Sequence, residues 1–331
     1  ALRQPGSAFK PFVYALALES QYTPSSLVLD APLVLDQGTD LKKWKPENYG
    51  KKFYGRSTLR IGLEKSRNLM TVRIAQNIGV DKIVNFSKKL GIYENPNELL
   101  SISLGSTETT LLKLTSAYSS FVNGGKLILP IIIDRVQDSE GTTIVNNDKR
   151  SCLNCSEISY TSGSYPIIND EYQKIFSPQT AYQVTSLLEG VVHRGTGKKL
   201  KDLKLNLAGK TGTTNKNTDT WFIGFTSNLV IGVYVGMDDP KPLGKYETGS
   251  KVALPIFKDF VKKGVKKSDA RPFKVSEGIT MMVIDPLTGQ KAKFSSKDTI
   301  IEAYKDKNVI DGKVLYSNNN RLDVNNILRF Y

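Results

Sequence analysis

The chain has 331 residues, 39% of them hydrophobic, with 46 Lys and Arg against 32 Asp and Glu and a formal net charge of +14. That is enough apolar content for one large packed domain or two ordinary ones, and the strongest apolar run, "LILPIII", is broken by proline and far short of a membrane span. The basic balance would suit nucleic acid, anionic head groups or acidic substrates, but no Arg-rich run, zinc-finger spacing or aromatic-basic ribonucleoprotein motif occurs, so no nucleic-acid partner is expected.

In chain order, a helix is read from about Ser7 to Ser20. Apolar spacing between Ser57 and Gly91 predicts three short helices, the last closed by glycine. A further helix, "ETTLLKLTSAYSSFVNGG", stops at Gly-Gly and leads into an apolar, β-branched segment at 127–136, a Ser-Glu-Gly turn and "TTIVN", read as a hairpin. From 149 to 176 the composition turns polar, which predicts a long surface excursion carrying Cys152 and Cys155. Ser177 as N-cap and Pro178 at the first position restart a helix. Three β-rich runs, "LKLNLAGKTGTT", "TWFIGFT" and "LVIGVYVG", follow as an antiparallel meander, then the helix "SKVALPIFKDFVKKG". Beyond about residue 268 the β signals are weak and the end is Asn-rich. Helices, then strands, then a helix predict an α/β fold with a central antiparallel sheet covered by helices.

The two cysteines cannot supply a zinc site in a chain with one histidine, His193, unless carboxylates or a partner help. Their spacing fits a small disulfide loop or a redox pair equally. His193 reads as a helix-end residue, and Trp44 and Trp221 as core or groove walls; no cofactor is called for.

The chemistry begins in "PGSAFKP". On a helix, residues three apart share a face, so Ser7 and Lys10 place a hydroxyl within reach of an amine. A serine needs a neighbour to take its proton, and a lysine can do so only when burial or a second cation lowers its pKa. Pro11 cannot donate to the carbonyl of Ser7 and biases Lys10 away from helical angles, so the first turn is expected to be frustrated. Two further strings complete a set: Ser66-Arg67-Asn68 begins 59 residues after Ser7, and Lys210-Thr211-Gly212 begins 142 residues after Asn68.

Ser-x-x-Lys, Ser-x-Asn and Lys-Thr-Gly in that order form the active-site triplet of serine penicillin-binding proteins and class A β-lactamases. Around them, "RQPGSAFKPFVYALALES", "EKSRNLMTVRIAQNIG", "SLGSTETTLLKLTSAYSSFVNGG", "QTAYQVTSLLEGVVHRGTG", "LAGKTGTTNKNTDTWFIGFT" and "GMDDPKPLG" with "ETGSKVALPIFKDF" resemble the transpeptidase domain of class A, bifunctional penicillin-binding proteins. The Cys-x-x-Cys loop and "RGTG" are similar to Gram-negative members.

The resemblance implies a peptidoglycan DD-transpeptidase with the serine β-lactamase/DD-peptidase-like fold. Ser7 would attack the D-Ala-D-Ala bond of a stem peptide, lose D-Ala, and pass the acyl group to an amine on a neighbouring strand; β-lactams would acylate the same serine. Lys10 is the implied base, Ser66 the relay to the leaving nitrogen, and Asn68 the holder of the substrate amide. Lys210 is the implied second cation, keeping Lys10 neutral and polarising Ser66. Thr211 and Thr213, on one face of a strand, would bind the terminal carboxylate, and Gly212 would let substrate backbone approach. The N–H groups of Ser7 and Thr213 would form the oxyanion hole, each donor worth about 3 kcal/mol. Arg67 is read as positional. Cys152 and Cys155 are expected to close a disulfide without metal.

The predicted organisation is a transpeptidase domain over 1–267, lacking the strands that precede the Ser-x-x-Lys helix in the family, and a C-terminal extension over 268–331. The abrupt start at Ala1, with no leader before it, reads as a cut inside a longer protein. The whole protein would add a glycosyltransferase domain and an N-terminal anchor, act at the periplasmic face of the inner membrane, and meet lipid-linked precursor and other cell-wall synthesis proteins. The alternatives are a β-lactamase and a non-enzymatic penicillin sensor or wall-binding module. The first lacks a Glu-x-x-Leu-Asn string: Glu108-Thr-Thr-Leu111 is followed by leucine, inside a predicted helix.

Overall fold

The segment "KPFVYALALE" has no polar face beyond Lys10 and Glu19, and a helix apolar all round belongs at the centre of a fold. In the computed structural model, which describes residues 1–36, 43–148, 150–153, 155, 166–293, 296, 298–310 and 313–314, this is helix α1 (Lys10–Glu19), entered through a 3-10 turn over Gly6–Phe9. Phe12, Val13, Tyr14, Ala15 and Ala17 are fully buried there.

The remaining helices are α2 (Leu59–Glu64), α3 (Asn68–Ile78), α4 (Val80–Lys89), α5 (Leu111–Val122), α6 (Pro178–His193) and α7 (Ala253–Gly264). The strands are β1 (Leu27–Asp30), β2 (Gly55–Thr58), β3 (Arg135–Gln137), β4 (Thr143–Asn146), β5 (Arg150–Cys152), β6 (Ile168–Asp170), β7 (Ala208–Thr213), β8 (Asp219–Phe225), β9 (Val230–Gly236), β10 (Ile279–Ile284), β11 (Ile300–Lys305), β12 (Val309–Ile310) and β13 (Lys313–Val314). The predicted meander is the antiparallel sheet β7-β8-β9, with β8 buried along its whole length. Alternation on β8 splits the molecule into layers. Trp221, Ile223 and Phe225 face the main core, shared with α1, α3, α5 and α6, whereas Phe222 faces a second core with Leu254, Phe257 and Val261 of α7.

Local signals account for most boundaries. Ser177 caps α6, its hydroxyl accepting the Thr180 N–H at 3.2 Å, with Pro178 as first residue. Residues 127–134 lie outside any strand, because Pro130 interrupts them and Leu127 N–H bonds instead to Gln173 O at 2.9 Å; only β3 and β4 pair. Glu108 lies before α5, exposed, and not within the helix.

Residues 279–305 are less separate than the predicted boundary at 267/268 implies. The hairpin β10–β11 packs on α6, burying Glu302, Ala303 and Tyr304. Tyr304 Oη hydrogen-bonds Ser25 Oγ, Thr58 Oγ1 donates to Pro286 O at 2.8 Å, and Lys305 Nζ donates to Leu18 O at 2.9 Å. The Asn-rich end lies outside the described residues, as does the middle of the polar excursion. A disulfide joins Cys152 to Cys155. Among the described residues no helix is long and apolar enough to cross a membrane, and no group of three or more His, Cys, Asp or Glu could hold a metal ion.

Candidate active site

Ser7 sits in the 3-10 turn, partly exposed, with its side chain free of hydrogen bonds to other described residues. The expected frustration takes another form. Lys10 is helical at φ −51°, ψ −39°, and its N–H donates to Ser7 O, so a tighter turn uses the carbonyl that Pro11 cannot reach. Pro11 falls in the first turn of α1, where a missing N–H costs nothing.

The turn is held backbone against backbone. Gly6 has φ +54°, and a Cβ there would stand 2.5 Å from Thr213 O, while its N–H donates to Gly105 O at 3.1 Å. On β7, a Cβ at Gly212 would run into Pro5 O and Ala8, so the chain's own segment before Ser7 takes the space expected for a substrate. Trp221 Nε1 donates to Gln4 O at 2.9 Å, and Arg3 pairs with Thr109 through both main-chain groups at 2.9 Å.

Lys10 and Lys210 are both 0% exposed and converge on Ser66. Lys210 Nζ donates to Ser66 Oγ at 2.9 Å and to Thr211 O at 3.1 Å. Lys10 Nζ lies 2.8 Å from Ser66 O, 2.6 Å from Asn68 Oδ1 and 3.4 Å from Ser66 Oγ. A neutral amine has two N–H donors and one lone pair, so Lys10 can spend both donors on the two close oxygens and keep the pair for a hydroxyl proton. Burial pushes Lys10 well below the usual lysine range, the charge of Lys210 adds to this, and Asp30 opposes it. Burial alone brings Lys210 down to about 7. The lowering of the Lys10 pKa therefore owes more to burial than to its neighbour.

Ser66 occupies the left-handed region at φ +56°, between the end of α2 and the start of α3. A serine there is strained and is held by its surroundings. Arg67 N–H donates to Gly62 O at 2.9 Å, and the Arg67 guanidinium lies over the Tyr54 ring and 3.2 Å from buried Asp30.

Sequence reasoning missed two residues behind this turn. Asn48 Oδ1 accepts the N–H of Asn68 at 2.8 Å, capping α3 from another loop, and its Nδ2 donates to Asp30 Oδ1 at 2.7 Å. Asn68 also donates to Glu47 O at 2.7 Å, leaving one N–H of its amide. "KPENYG" carried no chemical signal beyond a polar residue beside proline.

At the other wall, Thr211 Oγ1 is 2.8 Å from Thr196 Oγ1, and Thr213 Oγ1 accepts Gly249 N–H at 3.0 Å. Thr213 thus keeps its O–H, and the Thr196–Thr211 pair keeps one more. Thr196, in the "RGTG" string, is the third hydroxyl there and was not singled out from the sequence. The bond from Thr214 N–H to Asp219 O makes Thr213–Thr220 a non-hydrogen-bonded pair, so the Thr213 N–H points to the free edge of β7, toward the Ser7 turn. The Ser7 N–H is likewise without an acceptor among the described residues. His193, exposed at the last position of α6, takes no part, and Trp44 is only half-buried.

Residues 2–262 match the family model for the penicillin binding protein transpeptidase domain. Penicillin-binding protein 1A of Rickettsia conorii is 44% identical over 311 residues, covering 93% of this chain and 39% of that protein. Penicillin-binding protein 1A of Pseudomonas aeruginosa is 34% identical over 340 residues, covering 93% of this chain and 41% of that protein. The crystal structure of penicillin-binding protein 1A from Haemophilus influenzae superposes with a TM-score of 0.79 at 31% identity, over 92% of this chain and 48% of that one. The chain thus spans less than half the length of each. A match of this extent, with the turn that carries Ser7 packed on β7 and Lys10, Ser66 and Lys210 bonded together, has one reading: the chain belongs to the transpeptidase family of penicillin-binding proteins, among the Gram-negative 1A proteins.

Proposed function

We propose that the cleft is a D-Ala-D-Ala transpeptidase site working through an acyl-enzyme on Ser7. Neutral Lys10 takes the Ser7 proton as Oγ bonds to the carbonyl carbon of the penultimate D-Ala. The Ser7 and Thr213 N–H groups receive the oxyanion. On collapse the C–N bond breaks, and the proton passes from Lys10 through Ser66 to the departing amine of D-Ala. An acceptor amine then attacks the ester, gives up a proton along the same path, and restores Ser7. Thr213 and the Thr196–Thr211 pair offer two O–H donors to the substrate carboxylate, Lys210 adds positive charge, and the remaining Asn68 N–H holds the peptide amide.

The observation that carries this reading is Ser66 Oγ suspended between two buried amines, at 2.9 and 3.4 Å. It is a proton path with no role in a wall-binding module. A β-lactam, whose amide and carboxylate copy the scissile bond and chain end, is the test. Mass spectrometry after incubation should find one adduct, on Ser7, and no adduct or one elsewhere overturns the assignment. The whole protein's second activity, peptidoglycan glycosyl transfer, its anchoring at the periplasmic face of the inner membrane, and contacts with lipid-linked precursor and other wall-synthesis proteins follow from the same reading.

A further inference from the structure

Helix α2 ends two residues before Ser66, and its buried charges are balanced from an unexpected place. Arg60 is 2% exposed. Its Nε and Nη2 form a two-pronged pair with Glu302, Nη2 to Oε1 at 2.6 Å, and Glu302 is 0% exposed on β11. Nη1 of the same guanidinium reaches Glu64 Oε1 at 3.2 Å and Ser186 O at 3.0 Å, and Nη2 reaches Ser186 Oγ at 2.9 Å. Glu64 is the last residue of α2, and it also receives Arg194 Nη2 at 2.6 Å. Two guanidinium groups thus share hydrogen bonds with two carboxylates, Glu189 of α6 acts on both guanidinium charges from nearby, and Glu302 is the carboxylate that grips Arg60 with two prongs.

The cluster touches both walls of the cleft. The Glu64 carbonyl accepts Thr196 N–H at 3.2 Å, and Thr196 is the residue paired with Thr211. Through the chain, Glu64 leads to Ser66 in its strained conformation. Glu302 stands outside residues 2–262, on a hairpin that the three motifs do not announce.

We infer that Glu302 is a positioning residue for the acylation reaction: by holding Arg60 it fixes Glu64, and with it the Ser66 turn and Thr196. Removing one member of a buried ion pair leaves the other charge uncompensated. With Gln at 302, Arg60 keeps Glu64 as its hydrogen-bonded carboxylate among the described residues, with Glu189 acting on it without a hydrogen bond, and draws Glu64 away from Arg194, shifting both the Ser66 hydroxyl and the Thr196 N–H. Misplacement of a reacting group by about 1 Å is enough to cost on the order of a hundredfold in rate. The inference rests on the acyl-enzyme reading above.

The test is stopped-flow acylation of the full chain by a fluorescent penicillin. Varying its concentration separates the acylation rate constant from the binding constant, and the labelled stoichiometry gives the active fraction. Glu302→Gln should slow acylation of the active fraction at least about tenfold, with little change in binding, and Glu302→Asp should recover part of the rate. Tyr304→Phe, which loses the bond to Ser25 on the same hairpin but leaves Arg60 paired, should lower thermal stability at the parental rate constant. Should Glu302→Gln not fold, Arg60→Met with Glu302→Met removes both charges and should be slowed likewise. A parental rate constant in the Gln or double-Met variant overturns the inference, as does equal slowing in Tyr304→Phe. Failure of the parent itself to acylate would instead overturn the acyl-enzyme reading.

Discussion

Replacing Lys210 by Ala separates the two causes that lower the Lys10 pKa. The amine nitrogens can be no further apart than 6.3 Å, since Lys10 lies 3.4 Å and Lys210 2.9 Å from the same Ser66 oxygen. At an effective dielectric constant of about 20, two unit charges at that separation repel by about 2.6 kcal/mol, which corresponds to a rate factor of roughly 80. Losing this repulsion lets Lys10 hold its proton to higher pH. Burial, the larger cause, remains.

The signs follow from the directions of the shifts. Lys10 becomes a base as pH rises through its lowered pKa, and Lys210, brought down to about 7, loses its charge as pH rises through that value. The parent's acylation rate should therefore climb, then decline above about pH 7, with both limbs belonging to the coupled pair. In Lys210→Ala the rising limb should move to higher pH, and the rate at pH 7 should fall between about tenfold and a hundredfold. Lys210→Arg keeps its charge and should hold its rate above pH 8, where the parent's declines. The assay is β-lactam acylation from pH 5 to 10. A parental rate and profile in Lys210→Ala would reduce Lys210 to a structural lysine and leave the proton path to Ser66 and Lys10.

Three further outcomes are expected. Gly212→Ala pushes a methyl group into Pro5 O and Ala8, so acylation should fall by about two orders of magnitude, read against the melting temperature to confirm that the core persists. Asn48→Ala uncaps α3 by removing the acceptor of the Asn68 backbone N–H, so chemical denaturation should show a loss of about 1–2 kcal/mol and acylation should slow as the Asn68 position loosens; an unchanged denaturation midpoint would contradict the capping role. Cys152→Ser with Cys155→Ser opens a loop remote in sequence from every motif, and acylation should stay within about twofold of the parent.

The sequence disclosed the elements with strong periodicity or strong punctuation. Ser177-Pro178 marked the start of α6, and the alternation around Lys210-Thr211-Gly212 marked β7. The side chains proposed for catalysis were legible because their residue types are few and their order is constrained. Asn48, Asp30 and Thr196 were not. Each acts through a partner distant in sequence, and a lone amide, hydroxyl or carboxylate carries no local sign of which group it will meet. Gly212 was identified as a place of close approach, but what approaches could only be learned from the fold. Arg60 and Glu302, 242 positions apart, are ordinary surface residues by type and become a buried pair only through the docking of β11.

The backbone contacts around Gly6 bear on how this site can change. The peptide units of Pro5 and Gly6 lie against the backbone of Gly105 on one side and of Thr213 and Gly212 on the other. A side chain can be lengthened, shortened or turned, but a distance set by main chain against main chain has no such adjustment. The location of Ser7, the proposed nucleophile, is therefore the least adaptable coordinate of the site. Variants that come to distinguish an inhibitor from the natural peptide should spare this seam and gather where side chains form the wall, around Thr196, Thr211 and the segment at Gly249. Selection under an inhibitor that leaves wall synthesis intact would reveal that distribution.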